Sequence, residues 1–330
     1  MNYSDLDILF LTTKEIPDYL QDAVFMGLTE LGCNVVDCPR RKSLHGSWHS
    51  PDYRVEQLLF HYPEQELRKD PDLLIVTGMY GNYNYCKTFE GWTNFVHEII
   101  KKYKPGKIVM LDGEDAREFH YPDVGKPYDA VFKREPFLEG VPRPHYGDVQ
   151  SLVYDVKFSA VPESFQYVYF SYRKYDISFI ATLSNPYRLE IKNYVEKKAA
   201  ELGLSVFLHV DRSPLSRQDY LNILSYSKTA VSVRGAGFDC YRYWELPAKG
   251  VVMVADDPGM YIENDFDSNH IFKFKNIKDL EEILVKIKKM PIEALEEMST
   301  KALWHTIRYH TPRKRAKYIL EKIYGENNVS

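Results

Sequence analysis

The chain has 330 residues, a formal net charge of −4 and 27% charged residues. This length exceeds one ordinary hydrophobic core and predicts two domains. The slightly negative charge argues against a nucleic-acid-binding protein, which normally carries a basic stripe. No apolar run approaches the roughly 20 residues that span a bilayer, and the N-terminus lacks the basic and apolar regions of a signal peptide. We therefore expect a cytoplasmic protein that does not bind nucleic acid.

The cysteines give no sign of a metal site or a disulfide framework. Cys33, Cys38, Cys86 and Cys240 form no C-x-x-C pair, and no histidines accompany them at zinc-binding spacings. We expect four free thiols and no bound metal. The 26 tyrosines are an unusual number, and although most will serve as packing residues, tyrosines also line sugar and nucleotide pockets.

The first half of the chain alternates apolar β-branched runs with amphipathic segments, a pattern typical of a doubly wound α/β domain. We assign residues 1–150 to this N-terminal, acceptor-side domain. Its strands are predicted at Asp7–Thr12, Asn34–Asp37, Leu73–Val76, Lys107–Leu111 and Ala130–Phe132, and its helices at Tyr19–Leu31 and Thr93–Tyr103.

Polar loops follow three of these strands, and the carboxyl ends of parallel strands share one edge of a sheet. The loop DGEDAREFH contains Asp112, Glu114 and Asp115, any of which could act as the general base toward an acceptor hydroxyl if neighbouring negative charges raise its pKa. The alternative is that these acids favour a helix N-terminus. The loop that begins Lys133-Arg134-Glu135 suits either a phosphate contact or an ion pair.

A Pro- and Tyr-rich connection between Gly140 and Tyr175 precedes a second α/β unit, residues 151–310. Residues 311–330 form a C-terminal helix with the basic cluster Arg313-Lys314-Arg315, for which a solvated helix start is the default and contact with a membrane surface the alternative. The second unit has predicted strands at Asp176–Ala181, Ser205–His209, Thr229–Val233 and Val251–Val254, and predicted helices at Leu189–Leu202, Ser216–Ser227, Leu280–Lys288 and Ile292–Tyr309, with a further helix at Pro312–Tyr324.

The most informative segment is 229–258, which reads as strand, glycine loop, short helix and strand. Arg234, Gly235 and Gly237 follow the first strand, where glycines let the backbone approach an anion closely. A phosphate group is the ligand this loop favours, although a G-x-G pattern alone is weak.

Three charged residues follow the glycines. Asp239 is placed to cap the short helix, and Arg242 and Glu245 then fall three residues apart on one of its faces. They either face a ligand or pair with each other. Arg188 lies in the first turn of another predicted helix, where a cation opposes the helix dipole unless an anion is near. We take it as a further phosphate ligand.

The order R-G-x-G-x-D-x-x-R-x-W-E, four residues, Gly and an apolar strand resembles the nucleotide-sugar half of GT-B glycosyltransferases, particularly their exostosin-like and spore-maturation-protein-like branches. Asp239, Arg242, Glu245 and Gly250 match that pattern. The resemblance implies two Rossmann-like domains facing across a cleft, with a C-terminal helix that crosses back to the first domain. It also implies that Glu245 holds the ribose hydroxyls of a donor and that Arg242 contacts a phosphate or sugar.

The chain departs from the family pattern at two positions. Retaining members carry another Glu eight residues before the one matched by Glu245, and here that residue is Gly237. The motif therefore does not support a retaining mechanism. Pro247 stands where the family has a small helix former, so we expect the helix to kink or end near it.

The sequence thus predicts a glycosyltransferase that moves a sugar from a nucleotide-sugar donor to a hydroxyl of a glycan, lipid-linked or protein acceptor. No cofactor or divalent ion is expected, because Arg188, Arg234 and Arg242 would stabilise the departing diphosphate. The alternatives are a nucleotide-sugar epimerase of the same architecture and a non-catalytic binding protein. A phosphorylated receiver domain ranks last, since it would need only about 120 residues.

Overall fold

The fold was analysed in a computed structural model. The structure describes residues 2–12, 18–40, 62–78, 86, 88–114, 121–134, 153–160, 164–213, 215–235, 237–257 and 259–325. Asp115, Glu135, Ala236 and Pro258, which belong to the predicted motifs, lie outside these residues.

The described residues form eleven strands and eight α-helices. The strands are β1 (Asp7–Leu11), β2 (Asn34–Cys38), β3 (Leu73–Thr77), β4 (Lys107–Asp112), β5 (Ala130–Lys133), β6 (Val153–Asp155), β7 (Tyr175–Thr182), β8 (Val206–Asp211), β9 (Ser227–Ser232), β10 (Val252–Asp256) and β11 (Phe272–Phe274). The helices are α1 (Tyr19–Glu30), α2 (Phe89–Tyr103), α3 (Pro186–Leu202), α4 (Arg217–Ser225), α5 (Arg242–Ala248), α6 (Ile277–Lys289), α7 (Ile292–Tyr309) and α8 (Pro312–Tyr324).

The chain divides into two compact units. The first comprises the described residues up to Arg134 together with 153–157 and 312–325, and the second comprises 158–311. The first sheet has the order β2-β1-β3-β4-β5-β6, with every pair parallel. Strands β1 and β3 are buried along their whole length, as expected of parallel strands covered on both faces.

The sheet of the second unit has the order β11-β10-β9-β7-β8 and is also parallel throughout. The order in which strands are added reverses between β7 and β9: β8 lies on one side of β7, and β9, β10 and β11 follow on the other. Ligands of open α/β sheets bind at the carboxyl ends of the strands that flank such a reversal. The fold therefore singles out the ends of β7 and β9 before any side chain is considered.

Helix α8 belongs to the first unit and packs against α1. The contact is close because position 27 is a glycine: a Cβ there would lie 2.0 Å from the carbonyl oxygen of Pro312. The sequence predicts the extent of α8, but periodicity alone does not show which helix it meets.

The predicted elements are all present, with ends shifted by a few residues. Helix α2 begins four residues before the predicted start, because Thr88 caps it by accepting a hydrogen bond from the Gly91 N–H. Helix α5 ends one residue after Pro247, as expected. The three-residue strands β6 and β11 were missed, and β6 extends the first sheet beyond residue 150, the predicted end of the first domain.

Candidate functional site

The ends of β7 and β9 are joined by side chains from the start of α3. Asn185 caps α3 through its Oδ1, which accepts the Arg188 N–H at 3.0 Å, while its Nδ2 donates to the Gly235 carbonyl at 2.8 Å. Within the glycine loop the Gly235 N–H donates to the Gly237 carbonyl at 2.9 Å. The predicted glycine loop therefore lies at the carboxyl edge of the sheet.

Arg188 braces this edge. Its guanidinium donates to the carbonyl oxygens of Thr182 at 2.7 Å, Arg234 at 2.9 Å and Val233 at 3.2 Å. A Cβ at Gly235 would lie 2.8 Å from its Nη2 atom, so the glycine is needed for this approach as well as for a ligand. The sequence argument that Arg188 required an anion overlooked main-chain carbonyls as partners.

Arg242 reaches the same point from α5. Its Nη2 donates to the Val233 carbonyl at 3.2 Å, and its buried Nε has no hydrogen-bond partner. The residue is 6% exposed and Arg188 is 5% exposed. Neither guanidinium forms a salt bridge with a carboxylate in the part of the chain that the structure describes.

The guanidinium groups of Arg188 and Arg242 thus both donate to the Val233 carbonyl, and both residues are buried. Burial lowers the pKa of Arg188, and the charge of Arg242 lowers it further. The pKa of Arg242 is raised, because nearby groups that include Glu245 outweigh the effect of burial. Buried charges outside a salt bridge are costly and are often bound to a ligand, so the arginine pair is a candidate anion site.

The prediction that Asp239 caps α5 is wrong. The residue that precedes α5 is Tyr241, which makes no side-chain cap. Asp239, 2% exposed, accepts hydrogen bonds from the indole N–H of Trp244 at 2.8 Å and from the Phe158 N–H at 2.9 Å. Its two oxygens thus bind a side-chain donor of α5 and a main-chain donor at the start of the second unit, which is a structural role.

Glu245 pairs with Arg217 of α4, so the expectation that it either pairs with Arg242 or faces a ligand missed its main partner. Arg217 Nη2 lies 2.5 Å from Glu245 Oε1, an ion pair whose angles are not those of a hydrogen bond. The Tyr220 hydroxyl donates to Oε2 at 2.7 Å. Burial raises the pKa of Tyr220 well above its usual value, so the hydroxyl remains a donor. Glu245 is 1% exposed.

Arg234 is the most exposed of the predicted arginines. Its Nε donates to Asp256 Oδ2 at 2.7 Å, and its backbone N–H donates to Oδ1 at 3.1 Å. The guanidinium also lies over the rings of Tyr187 and Phe238. Burial raises the pKa of Asp256, although Arg234 opposes this shift.

A pocket lies beside Arg234. Cys240 lines it, and the Sγ atom of that residue is 3.6 Å from Arg188 Nη2. The pocket therefore adjoins the arginine pair. Its walls are polar and aromatic near β9 and β10 and include Phe238, Tyr243, Asp256, Asp257, Asp265 and Lys273.

In the acidic loop of the first unit, Asp112 and Glu114 differ in burial and in their partners. Asp112 is 1% exposed, lies 3.3 Å from Lys133 Nζ and accepts the Glu114 N–H at 2.8 Å. Burial raises its pKa, opposed mainly by Lys133, so like-charge crowding is not the leading cause. Asp112 is committed to a buried ion pair, while Glu114 is partly exposed.

The remaining polar residues of this edge fasten neighbouring strand ends together. Lys133 Nζ donates to the Glu114 carbonyl at 2.9 Å, and Arg134 Nε donates to the Gly113 carbonyl at 2.8 Å. Of the two predicted uses of this basic segment, the structure shows the ion pair.

Within the described residues, no three or more His, Cys, Asp or Glu side chains are grouped so that they could hold a metal ion. In the same part of the chain, no helix combines the length and the apolar character needed to cross a membrane.

Sequence reasoning missed several residues around this site. Arg217 and Tyr220 were read only as parts of a helical segment, although their spacing places them on one face of α4. Asn185 lies in the turn before the predicted helix Leu189–Leu202 and was not singled out there. Asp256, which lies just after the predicted strand Val251–Val254, was not assigned to the site.

Comparisons with known proteins agree with this geometry. Residues 191–321 match the model of a family described as glycosyl transferase-like. No curated protein matches the chain at a significant level.

Three solved structures resemble almost the whole chain in fold. A glycosyltransferase from Rickettsia africae ESF-5 has a TM-score of 0.55 and 12% identity, with 96% of this chain and 97% of that chain covered. Anabaena HepE in complex with UDP-glucose has a TM-score of 0.55 and 10% identity, covering 96% and 99%. WaaG, a glycosyltransferase involved in lipopolysaccharide biosynthesis, has a TM-score of 0.50 and 11% identity, covering 95% and 99%.

Two parallel α/β units and these comparisons show that the chain has the fold of GT-B glycosyltransferases. The comparisons are not specific to the exostosin-like branch, so that part of the resemblance stays a prediction.

Proposed function

We propose that this protein transfers a sugar from a nucleotide-diphosphate donor to a hydroxyl of a glycan, lipid-linked or protein acceptor, and that its second unit binds the donor. The observation that carries the proposal is the buried pair of Arg188 and Arg242 on the Val233 carbonyl, with no paired carboxylate among the described residues. A diphosphate supplies the missing negative charge. UDP is the first nucleotide to test, since the HepE structure is a complex with UDP-glucose.

The arginines and the glycine loop would act on the leaving group. As the bond between the sugar and the diphosphate breaks, negative charge accumulates on the phosphate oxygens. Fixed cations and loop N–H groups stabilise that charge more than the ground state, which lowers the barrier. Arg242 has an unused donor for this contact, whereas Arg188 acts mainly by holding the loop.

The roles of two carboxylates complete the proposal. We propose that Glu245 serves the ribose hydroxyls while Arg217 and Tyr220 hold it in one position. We assign the acceptor's general base to Glu114, because it is partly exposed whereas Asp112 is held by Lys133 in a buried ion pair; Asp115 is the alternative base.

A thermal-shift panel of UDP, GDP, ADP, CMP and TDP with their common sugars tests the donor site. One nucleotide should raise the melting temperature of the wild-type protein, and Arg242→Met should abolish that rise. Because Arg242 has no ion-pair partner to orphan, the unliganded Arg242→Met protein should melt no lower than about 2 °C below the wild type. Arg308→Met, an exposed arginine of α7, should keep the full response. No shift from any nucleotide at millimolar concentration would refute the donor site.

Turnover separates the remaining functions. A transferase consumes the donor only when an acceptor is present, apart from slow hydrolysis, whereas an epimerase converts the donor alone and a binding protein converts nothing. We also propose that catalysis needs no divalent ion. Loss of activity in EDTA that Mg²⁺ or Mn²⁺ restores would disprove this part.

A further inference from the structure

Arg234 is the exposed member of the three arginines that are predicted to bind a diphosphate. Its side chain is 33% exposed, whereas Arg188 and Arg242 are buried. An exposed arginine side chain normally samples many rotamers, and it loses that freedom when it binds an anion. Contacts that hold the guanidinium before the anion arrives therefore favour binding.

Asp256 holds one edge of the Arg234 guanidinium. Its carboxylate accepts the Arg234 Nε–H at 2.7 Å and the Arg234 main-chain N–H at 3.1 Å. A guanidinium has five N–H donors, and the four on the two Nη atoms are not used by these two hydrogen bonds. The ion pair thus orients the guanidinium and leaves its Nη groups to another partner.

Two aromatic rings hold the same guanidinium. The Cζ atom of Arg234 lies 5.1 Å from the centre of the Tyr187 ring and 5.6 Å from that of the Phe238 ring. A guanidinium at such a distance is attracted by the ring and stacks on it. Phe238 belongs to the same loop as Arg234, whereas Tyr187 belongs to the first turn of α3. Tyr187 is therefore the ring that a regular element positions, and regular elements place side chains more exactly than loops do.

The Tyr187 ring is itself fixed. It packs against the apolar core of the second unit. Burial raises the pKa of Tyr187, while the charge of Asp256 raises it further and that of Arg234 lowers it. The ring therefore lies beside both members of the ion pair.

Arg234 also lies next to the buried arginine pair. Arg188 Nε donates to the Arg234 carbonyl at 2.9 Å. The pocket that Arg234 lines includes Cys240, whose Sγ atom is 3.6 Å from Arg188 Nη2. A guanidinium with unused Nη donors is thus held beside the place that is proposed for the diphosphate.

We propose that Tyr187 is a positioning residue for the donor: its ring holds the Arg234 guanidinium in the orientation in which the Nη groups bind the diphosphate. The inference rests on the proposed donor site. Without the ring, the ligand itself must order the arginine side chain, which weakens binding. Because Tyr187 acts through Arg234, its contribution should disappear when Arg234 is replaced.

A double-mutant cycle measured by isothermal titration calorimetry with UDP tests the proposal. Tyr187→Leu should weaken UDP binding about threefold to tenfold, and Tyr187→Phe, which keeps the ring, should stay within about twofold of the wild type. Arg234→Met should weaken binding about tenfold or more. In the Arg234→Met background, Tyr187→Leu should change the dissociation constant by less than about twofold.

The matched control makes the same chemical change elsewhere. Tyr172→Leu replaces an exposed tyrosine that precedes the amino end of β7, at the edge of the sheet opposite the anion site. It should leave UDP binding unchanged.

Two results would overturn the positioning role while leaving the donor site intact. One is an equal loss from Tyr187→Leu in both backgrounds, which would mean that Tyr187 contacts the ligand or acts through the fold. The other is an unchanged affinity in either Tyr187→Leu or Arg234→Met. If another nucleotide binds in place of UDP, it serves as the probe, and if none binds, the proposed function fails first and this inference fails with it.

Two substitute measurements keep the cycle readable. Should Tyr187→Leu melt well below the wild type, Tyr187→Met repeats the removal of the ring with a flexible side chain that fills irregular space. Should Arg234→Met bind UDP too weakly for calorimetry, the rise in melting temperature at millimolar UDP replaces the dissociation constant in both backgrounds.

Discussion

The carboxylate of Asp239 joins the glycine loop to Phe158, the first residue of the second unit, by a hydrogen bond of 2.9 Å from the Phe158 N–H. Its other oxygen holds the Trp244 indole. The Trp244 ring packs 4.8 Å from His310, whose carbonyl accepts the Ala160 N–H. Both points at which the chain enters and leaves the second unit are therefore tied to the loop that is proposed to hold the diphosphate.

Removal of the Asp239 carboxylate should be costly. Asp239→Ala removes the acceptor of the buried Trp244 indole N–H and of the part-buried Phe158 N–H, and an unsatisfied buried group costs about 1–3 kcal/mol. We expect a loss of about 2–5 kcal/mol in the free energy of unfolding, measured by urea denaturation. Glu263→Ala, an exposed acid, is the control and should change this energy by less than about 0.5 kcal/mol. A loss below about 1 kcal/mol for Asp239→Ala would contradict the structural role.

The Arg217–Glu245 pair should be strongly coupled. Arg217→Met strands the Glu245 carboxylate in a buried site and should cost about 3–5 kcal/mol of stability. Glu245→Gln alone should cost similarly because it strands the guanidinium. The double variant should recover at least about 1.5 kcal/mol relative to the sum of the singles, read from a double-mutant cycle of unfolding energies. Additive losses would show that the two side chains do not depend on each other.

Substitution of Glu114 should lower activity, whereas substitution of Asp112 should lower stability. Glu114→Gln should lower kcat by about 10²–10⁴ and leave donor binding and melting temperature unchanged, as expected for a general base. Asp112→Asn should lower the melting temperature, because it removes the partner of the fully buried Lys133. The opposite pattern, with kcat reduced only in a stable Asp112→Asn protein, would return the role of base to Asp112.

The histidine cluster near α7 should make stability sensitive to mild acid. Burial lowers the pKa of His270, with Asp267 opposing and His305 adding to the shift. The unfolded chain therefore binds a proton more readily than the folded protein, and the stabilisation present above the unfolded pKa is lost as pH falls through about 6.5.

His270→Gln should reduce the fall in melting temperature between pH 7.5 and 5.5, a range that follows from the ordinary histidine pKa of about 6.5. Asp267, whose pKa is lowered mainly by the Asn269 N–H, titrates well below this range. His97→Gln, an exposed residue of α2, is the control. An unchanged pH dependence in His270→Gln would exclude this residue as the source.

Much of the fold could be predicted because buried parallel strands appear in the sequence as continuous apolar runs. Val252–Asp256 and Leu73–Thr77 are such runs, and all their residues are buried. Strand β11 has only three residues, with Lys273 at its centre. Such a segment carries too little periodicity to be recognised.

The sequence correctly located the candidate site, but it did not predict the roles of several side chains there. The glycine loop follows a strand and precedes a helix, which is a local pattern. The partner of Glu245 lies 28 residues earlier on another helix, and Asp239 meets Phe158 across 81 residues. Such contacts depend on how the elements pack, so local preferences for caps and neighbouring ion pairs led to the wrong partners.

The pairing of α1 with α8 affects when the protein can fold during its synthesis. Gly27 and Pro312 meet at this contact, yet a ribosome makes Pro312 long after Gly27. At about 5–20 residues per second, the intervening chain of roughly 280 residues takes about 15–60 s to synthesise. Throughout that interval the face of α1 that α8 will cover lacks its partner, whereas residues 158–311 can complete their own sheet. The second unit can therefore become native on the ribosome before the first.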